Sequence, residues 1–164
     1  MSDAPLSYII ADLLLFAVQI YFFAAKYILH FIWYNIDIKK AGGAKMAEIT
    51  LQNIHDCYAY GKRIAEGEIE IGTAAMNIAR TGMDKGSAQI YLRCVRSMIH
   101  GKRYTGTVKE IAVSHFLTAI MSDYGFDGLR KALEALRLHL EYQKAYQSLA
   151  GLKQIYDEFM DVLP

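Results

Sequence analysis

A chain of 164 residues that is 54% hydrophobic and 21% charged, with only two prolines, is too apolar for disorder and long enough to bury a core. Its 18 basic and 17 acidic side chains nearly cancel, so any charged function must come from their distribution and not from the total. Cys57 and Cys94 are too few for a disulfide framework and lack metal-ligand spacing, and they read as small buried apolar residues.

Composition splits the chain into an apolar helix at 1–45 and a domain at 46–164 that reads as ordinary and soluble. From Leu6 to Ile38 there is no glycine or proline, and a helix of that length could cross a bilayer, which needs about twenty residues. Asp12, Gln19 and Lys26 recur every seven positions, with His30 one turn further, so the polar groups fall on one narrow stripe. Three readings compete. In the first, Leu6–Ile38 is a single transmembrane helix, flanked by Lys39, Lys40 and Lys45, that tethers a cytoplasmic domain to the membrane. In the second, it lies in the membrane interface, although the polar stripe is thin for that. In the third, Met46 begins the protein and the preceding residues are upstream sequence. A cleaved signal peptide is disfavoured, because the basic residues follow the apolar stretch.

The remainder reads as helix throughout. Leu51–Ala65 spaces Leu51, Ile54, Tyr58 and Ile64 helically, and Ile71–Ala79 makes a short second helix ending before Thr81-Gly82. Ser87–Ile99 is the third, with Gly101 as its left-handed terminator. Thr107 and Glu110 match a capping box, which predicts a helix from there to Tyr124, stopped by Gly125. Leu129–Tyr142 and Leu149–Leu163 complete the chain. No segment alternates as a strand does. The expected fold is all-α, a compact bundle of five or six short helices preceded by one long apolar helix.

Between Arg80 and Lys109 seven basic side chains meet only Asp84, a local net charge of +6, whereas Glu110 to the end carries −3. That concentration is the footprint expected of a phosphate-binding surface. Arg93, Arg96, Lys102 and Arg103 are the candidate phosphate contacts, with Tyr104 stacking or packing beside them. A helix–turn–helix reading of Thr73–Arg96 would place Ser87, Gln89 and Ile90 at the base edges. The bland alternative is a solvated basic face balanced by acidic neighbours. His55, His100, His115 and His139 form no pair with ligand spacing, and His115 and His139 lie on apolar faces. No catalytic residue, metal site or cofactor is expected.

Gly86-Ser87-Ala88, Tyr91-Leu92, Met98 with Gly101-Lys102-Arg103-Tyr104, Asp123-Tyr124-Gly125 and His139–Tyr142 together resemble the helical N-terminal head domain of McrA-like HNH restriction endonucleases. The similarity runs over roughly Ile71–Phe159. It implies a DNA-associated helical module, non-catalytic by itself, because the nuclease and the domain that senses modified bases have no counterpart here. The implied partners are DNA, through its phosphate backbone, and a nuclease subunit; the membrane, through Leu6–Ile38, is a third. The competing expectation is a protein-interaction module, or a cytoplasmic adaptor on a membrane anchor.

Overall fold

The computed structural model describes residues 49–144 and 149–164, which belong to one compact unit, Lys45–Pro164. Among them are five helices and no strand: α1 Leu51–Ala65, α2 Ile71–Ala79, α3 Lys85–Ile99, α4 Glu110–Gln143 and α5 Ala150–Met160. The all-helical bundle of short elements is therefore present, but the long apolar helix expected before it is not among them. No described helix is long and apolar enough to cross a membrane. The expectation of a transmembrane helix and membrane tether is withdrawn on that finding. Leu6–Ile38, on which it rested, lies outside the described residues.

Helix α1 starts where a reciprocal cap forms. Thr50 Oγ1 accepts from the Asn53 amide at 3.2 Å, while Asn53 Oδ1 accepts from the Thr50 amide at 3.1 Å. Buried Asn53 also donates to Thr81 Oγ1 at 3.0 Å, which ties this cap to the turn between α2 and α3. Helix α3 is the hub, touching α1, α2 and α4. Gly61 of α1 lets α3 approach closely, since a Cβ there would lie 2.6 Å from Val95 Cβ. Ile54, Ile78, Leu92, Phe116, Leu133 and Leu136 fill the core between these helices.

Helix α4 is bent in the middle. Gly125 takes φ 64°, ψ −161° within an otherwise helical run, a conformation that side chains disfavour. The predicted stop at Gly125 is thus a kink, and helix resumes directly after it. The predicted capping box at Thr107–Glu110 does not form. Glu110 is the first helical residue, and Lys109 at the cap makes no side-chain cap bond. The Lys109 amide donates instead to the Tyr91 hydroxyl at 3.2 Å, a tertiary contact that replaces the local one. Residues 102–109 therefore run as an irregular strap from α3 to α4.

Candidate nucleic-acid interface

The end of α3 and the strap after it enclose a groove of about 450 Å³. Arg93 and Arg96 line it from α3, with His100 at that helix's cap, and Lys102 and Arg103 line it from the strap. Positions 93, 96 and 100 fall on one helical stripe, and Gly101, at φ 66°, turns the chain so that Lys102 and Arg103 come back over the same opening. Four of the expected phosphate contacts are thus brought together. The C-terminal end of a helix carries a partial negative charge, which favours cations at Arg96 and just beyond without neutralising them.

These cations have no ion-pair partner among the described residues, which holds for Arg93, Arg96, Lys102 and Arg103 and equally for Arg80, Lys85 and Lys109. The one acid in that stretch, Asp84, caps α3 by accepting from the Ser87 amide at 2.8 Å, and that bond holds its carboxyl below the usual range. The +6 charge is therefore uncompensated where it arises. Ser97 and Thr105 also border the groove, adding hydroxyl groups that can donate to an anion.

Three contacts fix the strap to the second half of α4. His139 Nδ1–H donates to the Tyr104 carbonyl at 2.9 Å, and Gln143 Nε2 donates to the Thr105 carbonyl at 3.2 Å. The Arg103 guanidinium sits 5.0 Å from the centre of the Tyr142 ring, a cation–π distance that holds the side chain in place. Burial pushes the His139 imidazole below its ordinary pKa, so it stays neutral and keeps a lone donor for the strap.

Tyr104 packs and does not stack on a ligand. Its side chain is 4% exposed, and its ring lies parallel to His139 with centroids 4.0 Å apart. Its buried hydroxyl has no hydrogen-bond partner of ordinary geometry among the described residues and lies beside the Cys94 thiol. Gln89 is also separated from the other candidates: it is half-buried one turn before Arg93 and does not line the groove. At the neighbouring position Gly106 of the strap packs against Ile90, so close that a Cβ there would be 2.5 Å from Ile90 Cγ2, while Ile90 itself stays 37% exposed.

The remaining reactive side chains are packed away. Cys94 is buried, and burial raises its thiol pKa far above the ordinary value, the reverse of what a nucleophile needs. His55 and His115 do meet, with ring centroids 4.3 Å apart, a pairing between α1 and α4 that their sequence spacing does not suggest. No three His, Cys, Asp or Glu side chains among the described residues cluster as metal ligands would. No family model, curated protein or solved structure matches the chain. The site has to be judged on its own chemistry.

Proposed function

We propose that residues 46–164 form a non-catalytic module that binds the phosphate backbone of nucleic acid through the groove between α3 and the strap. One observation carries the reading: the seven basic residues between Arg80 and Lys109 have no carboxylate ion-pair partner among the described residues, and four of them converge on one concavity. Arginine forks match phosphate oxygens in pairs, and lysine supplies a point charge. The groove lining offers these donors and no acidic side chain. On the resemblance to McrA-like heads, such a module would work beside a nuclease.

Neutralising about four phosphates releases counterions, so affinity should fall with salt with a logarithmic slope of about −3. The test is fluorescence anisotropy with labelled DNA over a salt series, with an acidic peptide as competitor. Salt-sensitive binding that is lost when Arg93, Arg96, Lys102 and Arg103 are changed to Gln supports the reading. Binding to the acidic peptide but not to DNA would replace it with an acidic protein partner.

A further inference from the structure

The groove differs in shape from a surface that receives a duplex. Its cations stand on two facing walls, Arg93 and Arg96 on α3 and Lys102 and Arg103 on the strap, around a space of about 450 Å³, which is the size of a small-ligand site. The strap wall is anchored through Tyr91, His139 and Gln143, and at Gly106 it packs against Ile90. A duplex is a stiff cylinder with a persistence length of about 150 base pairs and cannot bend one of its strands into a concavity of this kind. The four cations are exposed at the opening, so a duplex could meet them only from outside the groove. A single strand can turn its backbone inward and meet both walls at once.

We propose that the groove takes a single strand of nucleic acid, phosphates inward and bases outward, in preference to a duplex. This rests on the phosphate-binding reading above. The orientation follows from the aromatic side chains. Tyr104 and His100 are the aromatic side chains lining the groove; the Tyr104 ring is buried against His139, and His100 is exposed at the end of α3. The Tyr142 ring near the strap carries Arg103 at 5.0 Å, and this residue, 39% exposed, lies outside the groove lining. The lining therefore offers one accessible ring, His100, where single-strand binders hold successive bases on several, and charge is most of what it reads. Electrostatics alone would give the opposite preference, because a duplex carries denser charge than a single strand and releases more counterions per phosphate. A preference for the single strand would therefore report the shape of the site.

The experiment uses the full chain and three labelled probes: a thymidine homopolymer, an adenosine homopolymer of equal length, and the duplex they form. At one fixed salt concentration each strand is expected to bind at least about tenfold tighter than the duplex, and the two strands within about threefold of each other. Arg93→Gln with Arg96→Gln should remove strand binding, and Arg130→Gln with Arg137→Gln should leave it. Circular dichroism melting of both variants checks that they remain folded. Duplex binding as tight as strand binding, lost in the Arg93/Arg96 variant, would overturn the strand preference and leave the phosphate reading standing. A strong preference for one homopolymer would overturn the outward placement of the bases. Absence of binding to all three probes, or binding indifferent to Arg93 and Arg96, would overturn both.

Discussion

Two regions of the bundle use the same kinds of side chain to opposite ends. At the bend of α4, Lys62 donates to Asp123 at 2.8 Å, Tyr58 donates to the same oxygen at 3.0 Å, and the Tyr124 hydroxyl reaches Glu66 at 3.1 Å. The Lys62 ammonium also lies 5.3 Å from the Tyr124 ring centre. Every polar group there is directed at another part of the protein, and the result fastens α1 to α4 across the kink. In the groove the cations point at no carboxylate, and the hydrogen bonds run behind them, from His139 and Gln143 to strap carbonyls. Charge that is matched within the protein holds helices together. Charge left unmatched beside a rigid backbone is available to a ligand.

The sharpest way to break this contrast is to remove charge from each region in turn. Changing Arg93, Arg96, Lys102 and Arg103 to Gln should weaken nucleic-acid binding by about a hundredfold or more and abolish most of its salt dependence, with the melting temperature unchanged. Changing Lys62, Arg130, Arg137 and Lys153, each paired to a carboxylate, should leave affinity within about threefold. If both variants lose binding equally, the groove is no site and only total charge matters. Anisotropy and thermal melting on both proteins decide it.

The next effect acts on α3 from the side away from the groove. Gly61→Ala would place a methyl 2.6 Å from Val95 Cβ, an atom that cannot swing away. The helices must part, and overpacking of this kind costs about 1–3 kcal/mol. Adding Val95→Ala should restore most of the loss in chemical denaturation. Because the groove cations sit on another face of α3, binding per folded molecule should hardly change.

How much of this was legible in the chain depends on how local each signal is. The ranges of α1 and α2 follow from apolar spacing, and α3 begins two residues before the expected Ser87 because Asp84 supplies the cap. The four cations were legible as a cluster, since they lie on one helix and the turn after it. The capping box at Thr107 misled because the helix begins at Glu110 with Lys109 as its cap, where the Lys109 amide is held by the Tyr91 hydroxyl. The burial of Tyr104 depends on His139, far along the chain, and nothing near Tyr104 announces that partner. The contact of Gly106 with Ile90 and the meeting of His55 with His115 are likewise consequences of packing.

That histidine pair gives a smaller effect, visible in pH. Burial, with the nearby His55 second, lowers the His115 pKa from its ordinary 6.5 to about 4. The unfolded chain therefore binds more protons than the folded one between those values, and stability is lost as pH falls through that window. At 1.36 kcal/mol per pKa unit, discounted for partial exposure, the loss should be about 1–2 kcal/mol. Melting curves from pH 7 down to 4 should show it, and His115→Gln should flatten the slope. An unchanged slope in that variant would assign the titration elsewhere.

The smallest effect sharpens the contrast most, because it concerns the best-connected cation on the paired side. The Lys62–Asp123 contact holds the Asp123 carboxyl below its usual range, with the Lys62 hydrogen bond as the largest cause. Yet both side chains are about one-third exposed, at 35% and 33%, so water and salt screen the pair. A double-mutant cycle with Lys62→Met and Asp123→Asn should yield a coupling of about 0.5–1 kcal/mol, fading with added salt. The Asp123 contribution should be present at neutral pH and lost as pH drops below the ordinary carboxylate range, because its folded pKa is depressed. This places it on the acid side of the His115 window, so one pH series separates the two. A coupling well above 1 kcal/mol would mean that the tyrosine bonds of the clamp act together with the ion pair as one cooperative unit.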